Sequence, residues 1–129
     1  MYMAETILKA GSRILVVDDD ADARVPLVDI LELNGYSAAS AGNGREAIEY
    51  LQTSALPALV ILDLQMPVMD GRSFHAAQKT HPALAAVPAV VVTALAGEGV
   101  DANEVLLKPI DIDRFLTIVS HYVGVEQTA

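Results

Sequence analysis

Apolar residues fall into short unbroken runs separated by longer amphipathic stretches. Ile14-Leu15-Val16-Val17, Leu59-Val60-Ile61-Leu62 and Ala89-Val90-Val91-Val92 are continuous, the pattern of strands covered on both faces. Val105-Leu106-Leu107 is a weaker run of the same kind, and Ser37 to Ala41, small and half apolar, reads as an edge strand. Between the runs the period changes to that of a helix. Leu27, Ile30, Leu31 and Asn34 share one face, with Gly35 placed to stop the helix. Pro26 is tolerable in that helix only within its first turn or so. Ala47, Ile48 and Leu51 form a second stripe, and Phe74 and Ala77 a third that ends at His81-Pro82. Phe115, Ile118, Val119 and Tyr122 follow i, i+3, i+4, i+7, with Asp111 or Asp113 available as a cap. Strands alternating with helices imply right-handed crossovers and an α/β fold: a doubly wound, parallel, five-stranded sheet.

Length and composition narrow the class. The 129 residues suit a single domain, with 1–12 and 124–129 as short flanks of a core at 13–123. With 53% hydrophobic and 19% charged residues the chain is far from a disordered composition. There is no Cys and no Trp, which excludes a disulfide scaffold and any thiolate metal site. Eight Lys and Arg against seventeen Asp and Glu give a net charge of −9, the wrong sign for a nucleic-acid binder. No apolar run reaches the roughly 18 residues of a membrane span, and Met1 to Gly11 lacks a signal-peptide core. A soluble cytoplasmic protein, binding neither nucleic acid nor membrane, is expected.

In an open parallel sheet, ligands bind beyond the carboxyl ends of the strands. Those positions hold Asp18, Asp19 and Asp20 after the first run, Asp63 after Leu62, Thr93 after Val92, and Lys108-Pro109 after Leu107. Each has an ordinary reading when taken alone. A single Asp after a strand is usually a cap or turn residue, and Asp20 or Asp22 fits that role. A lone Thr or Lys is most often a satisfied hydroxyl or a solvated charge. Their convergence on one sheet edge is harder to explain that way. Clustered carboxylates coexist ionised beside a divalent cation, and an all-oxygen donor set favours Mg²⁺. A carboxylate can accept a phosphoryl group as an acyl phosphate. Lys108 and Thr93 can hold the incoming oxygens, since this chemistry needs little beyond positioning and charge neutralisation.

Together, Ile14-Leu15-Val16-Val17-Asp18-Asp19, Asp63-Leu64-Gln65-Met66-Pro67-Val68-Met69-Asp70-Gly71, Val92-Thr93-Ala94 and Lys108-Pro109 resemble the receiver domain of two-component response regulators, in particular a chemotaxis-type single-domain regulator. The resemblance implies a flavodoxin-like (βα)₅ fold, with Asp63 as phosphoacceptor. It implies Mg²⁺ organised by Asp18 and Asp19, with further ligands from Asp63 and the backbone carbonyl of Gln65. It makes Thr93 the switch hydroxyl and Lys108 the phosphate-contacting lysine, followed by a proline commonly preceded by a cis bond. A histidine kinase or histidine phosphotransfer protein would be the donor. An unidentified protein would read the output, the chain itself being a monomer or weak dimer and not a turnover enzyme.

Two departures from the pattern concern the output side. Thr93 and Lys108 are only 15 positions apart, roughly two helical turns short of the usual receiver spacing, so the fourth helix is expected to be truncated or replaced by a loop. Three residues before the lysine, where the family often has Tyr or Phe, stands Val105. A phosphorylation-independent interaction module, or a receiver excised from a hybrid kinase, are the competing readings. Gly42-Asn43-Gly44-Arg45-Glu46-Ala47 fits a dinucleotide fingerprint, but the strand before it is the weakest in the chain, so a turn into a helix is expected. An aspartyl-phosphate hydrolase typically has a second acid where Gln65 stands. His75, His81 and His121 are scattered without metal-ligand spacing.

Overall fold

A computed structural model describes residues 14–53, 56–63, 76–77, 79–80, 85–93 and 102–123. In chain order the elements are β1 (Ile14–Val17), α1 (Ala21–Leu33), β2 (Ala38–Ala41), α2 (Gly44–Thr53), β3 (Leu59–Asp63), β4 (Ala89–Thr93), β5 (Glu104–Leu107) and α3 (Ile112–Val123). Ala76, Ala77 and Lys79 are helical as well. The five strands form one parallel sheet in the order β2-β1-β3-β4-β5. The chain runs outward from β1 to β2 on one side and from β3 to β5 on the other. The reversal therefore falls between β1 and β3, and places their carboxyl ends side by side at the topological switch point.

The unbroken apolar runs are explained by the two layers they serve. Ile14 and Val16 of β1 face a core shared with Leu27 and Leu31 of α1 and Phe115, Val119 and Val123 of α3. Leu15 and Val17 face the opposite layer, with Ala47 of α2, Val60 and Leu62. Every residue of β1, β3 and β4 is buried, so alternation by face produces no alternation in polarity. β2 and β5 are the sheet edges and are only partly buried, which is why both are weak in the sequence.

The helix ends are built from local chemistry. Asp20 caps α1, its side chain accepting from the Asp22 amide at 2.9 Å. At the other end the Gly35 amide donates to Glu32 and the Tyr36 amide to Leu31. These are the two bonds of a Schellman ending, with Gly35 at φ 90° in the left-handed region glycine tolerates. Asp111 is the cap of α3, accepting from the Arg114 amide at 3.1 Å. Pro26 departs from expectation. With Asp20 as the cap it is the sixth helical residue, past the first turn. The carbonyl deprived of its partner belongs to Asp22, and both residues lie on the exposed side of α1, where solvent can take that bond.

Gly42-Asn43-Gly44 opens a helix and is not built as a nucleotide cradle. The Asn43 side chain accepts from the Glu46 amide at 2.9 Å, and the Glu46 carboxylate accepts from the Gly42 amide at 2.8 Å. That reciprocal pair resembles a capping box and puts a carboxylate where a pyrophosphate would need bare amides. The expected shortening of the fourth helix concerns a segment of which 94–101 fall outside the described residues, as do Phe74, His75, His81 and Pro82.

Candidate functional site

The ladder between β1 and β2 continues one residue past β1, the Asp18 amide donating to the Ala41 carbonyl at 3.1 Å. Asp18 is thus held as a strand residue, with only 3% of its surface exposed. The turn into α1 then uses its side chain: Asp18 Oδ1 accepts from the Asp20 amide at 2.9 Å. Asp19 is exposed. Asp63 is the last residue of β3 and Thr93 the last of β4, 7% and 0% exposed. The β4–β5 pairing also runs on past β5, the Lys108 amide donating to the Thr93 carbonyl at 2.8 Å. The Lys108–Pro109 peptide bond is cis.

These backbone placements bring four charged side chains together. Asp18, Asp19 and Asp63 each present a carboxylate oxygen within 4.8 Å of the others. Lys108 Nζ lies 3.3 Å from Asp18 Oδ2 and 3.9 Å from Asp63 Oδ2, and it also donates a hydrogen bond to Asp18. The Lys108 ammonium thus pairs with two carboxylates nearly removed from water, and Asp19 adds a third beside them. The remaining excess of negative charge is strongest where dielectric screening is weakest. A small divalent cation among the three acids would balance it. The donors are carboxylates, without imidazole or thiolate, which matches the preference of Mg²⁺.

The described residues thus bring together Asp18, Asp19, Asp63 and Lys108, with Thr93 one strand away from Asp63 in the sheet. Gln65, whose carbonyl the resemblance adds to the ligands, lies outside the described residues, as do Met66, Pro67, Asp70, Gly71, Ala94 and Leu95. Sequence reasoning passed over Arg24. Its Nη1 donates to the backbone carbonyl of Asp18 at 2.7 Å. The available signal was electrostatic: a basic residue near a helix N-terminus opposes the helix dipole, so a specific partner is a natural reason for it.

The sheet order 2-1-3-4-5 is that of the flavodoxin-like doubly wound class, with an acidic cluster at its switch point. Comparison with known proteins gives the family. Residues 14–120 match the family model described as the response regulator receiver domain, and the chain belongs to that family. It is 41% identical over 86 residues to Protein Rrf1 of Nitratidesulfovibrio vulgaris, a match covering 67% of this chain and 62% of that protein. It is 31% identical to a probable chemotaxis protein CheY of Rhizobium etli, covering 96% of this chain and 98% of the relative. Among solved structures, the signal receiver domain of a signal transduction histidine kinase from Syntrophus aciditrophicus superposes with a TM-score of 0.80 at 30% identity, covering 92% and 96% of the two chains. The response regulator TrrA of Thermotoga maritima, solved in complex with Mg²⁺ and BeF, gives 0.76 at 28% identity, covering 86% and 98%. No helix among the described residues is long and apolar enough to cross a membrane.

Proposed function

We propose that this receiver accepts a phosphoryl group on Asp63 from the phosphohistidine of a histidine kinase or histidine phosphotransfer protein, in a Mg²⁺-dependent step, and that a protein partner in the cytoplasm reads the modified state. The observation that carries this is the meeting of Asp18, Asp19 and Asp63 within 4.8 Å, with Lys108 Nζ 3.9 Å from Asp63. A carboxylate oxygen of Asp63 attacks phosphorus. The phosphorus–nitrogen bond to the donor imidazole breaks, and the bonding pair leaves with the imidazole. Asp18, Asp19 and Asp63 would hold Mg²⁺, which supplies charge neutralisation to the phosphoryl oxygens. Lys108 already rests against the acceptor carboxylate and can follow the new charge by a small swing of its side chain. Thr93, whose carbonyl takes the same backbone bond that fixes Lys108, would supply its hydroxyl from the adjoining strand. The chain catalyses only its own phosphorylation and dephosphorylation at Asp63, so it works as a signalling domain.

Incubation with acetyl phosphate and Mg²⁺, followed by intact-protein mass spectrometry, tests the assignment. A single phosphoryl adduct is expected, lost with EDTA and absent in Asp63→Asn. An adduct that persists in Asp63→Asn refutes the acceptor. No adduct from a folded protein, with acetyl phosphate or with a phosphorylated kinase, supports the phosphorylation-independent module instead.

A further inference from the structure

Asp18 and Asp19 are adjacent, so a single peptide group joins the two acids placed at the cation site. Asp18 is held on every side: its amide by Ala41, its Oδ1 by the Asp20 amide and its Oδ2 by Lys108. Asp19 is not. Its carboxylate is exposed and has no hydrogen-bond partner among the described residues, so the backbone alone fixes where its side chain starts. The plane of the joining peptide is fixed through its carbonyl, the Asp18 oxygen that accepts from Arg24 Nη1 at 2.7 Å. A charge-assisted bond of that length is among the stronger kinds. Turning about the Asp18 Cα–C bond would move this carbonyl and re-aim Asp19, while the Asp18 amide stays in the β1–β2 ladder.

The guanidinium also has its place prepared. It lies against Gly42 in the loop entering α2, where a Cβ would come 3.5 Å from Arg24 Nη1 and 3.4 Å from Glu46 Oε1. Arg24 therefore connects the loop after β1 with the loop after β2, and a branched side chain at position 42 would intrude on its seat.

We propose that Arg24 is a positioning residue of the Mg²⁺ site, holding the Asp18–Asp19 peptide so that the Asp19 carboxylate faces Asp63. This rests on the Mg²⁺-dependent reading of the site above. The charge of Arg24 makes the test sharp, because positioning and electrostatics act in opposite directions. Deleting a nearby positive charge, by itself, strengthens cation binding; losing the orientation of a ligand weakens it, by about tenfold for typical outer partners of a metal site.

The experiment is calorimetric titration of MgCl₂ into the unphosphorylated wild type, Arg24→Met, Arg24→Lys and Gly42→Val, with the melting temperature of each measured without metal. Arg24→Met is expected to bind Mg²⁺ about tenfold more weakly, and Arg24→Lys, which can still donate to the carbonyl, to recover most of that loss. Gly42→Val keeps the charge but displaces it, and is expected to weaken binding in the same direction. If Arg24→Met binds Mg²⁺ as tightly as wild type or more tightly, the proposal is overturned. The same holds if Arg24→Met only melts earlier, with unchanged affinity in the folded protein. Should Arg24→Met not fold, Gly42→Val and Arg24→Lys decide alone: wild-type affinity in Gly42→Val overturns the proposal. A wild type that takes up no Mg²⁺ overturns the cation site itself, a failure seen before any variant is compared.

Discussion

The carboxyl ends of β1 and β3 and the outer edge at β5 lie on one sheet but are made differently. At the first, Asp18 is bound through its amide, its carbonyl and both carboxylate oxygens, and Asp63 is buried as a strand residue. At the second, Val105 is half-buried, and Leu107 is 57% exposed in the very strand that leads to Lys108. One region adds side-chain bonds from Asp18 to its backbone ladder, whereas the other rests on the ladder to β4 and on half-exposed apolar side chains. The difference teaches where substitution is tolerated. The acidic end depends on backbone positions that many residues share, whereas the outer edge can be altered one side chain at a time.

The contrast can be probed from its common support outward. Phe115 is fully buried in the layer shared by α1, α3 and the sheet. Phe115→Ala should cost about 3–5 kcal/mol, read by urea denaturation, and should lower both regions together. A variant that kept full stability would show that the α3 layer does not support the sheet. Lys108→Ala separates them. It leaves Asp18 and Asp63 without their ammonium, and the metal-free protein should lose about 1.5–3 kcal/mol at neutral pH. Added Mg²⁺ should raise the melting temperature more in this variant than in wild type, because it takes over the missing countercharge; an equal rise in both would break the argument. Val105→Tyr should be the mildest, within about 0.5 kcal/mol of wild type because the position is a half-exposed edge. Its Mg²⁺ affinity should be unchanged by titration. Any marked loss there would show that the two regions are not as independent as their construction suggests.

Much of this was readable from residue order because buried parallel strands leave an unmistakable mark. β1, β3 and β4 needed no interpretation, and the acids that follow them become neighbours once the strands are parallel and adjacent. The start of α1 was harder. Asp20 and Asp22 can both cap, and nothing local selects Asp20 between them. Placing the cap at Asp20 is what carries Pro26 into the second turn. The dinucleotide-like glycines lead into a helix, and what the weakness of β2 does not reveal is the part played by the Glu46 carboxylate, four residues on from Gly42. Arg24 was illegible for a different reason. Its partner is a main-chain oxygen, and every residue has one, so only the path of the chain shows which carbonyl it reaches.

The bond from the Lys108 amide to the Thr93 carbonyl has one more consequence. It gives the site a reporter requiring no label beyond deuterium. That proton is shielded only while the end of β4 and the residue after β5 stay in register, so its exchange rate counts how often the two part company. Followed with and without Mg²⁺, and then after phosphorylation, this single amide would record the opening of the sheet edge as a rate, at the point where the chemistry meets the outer strand.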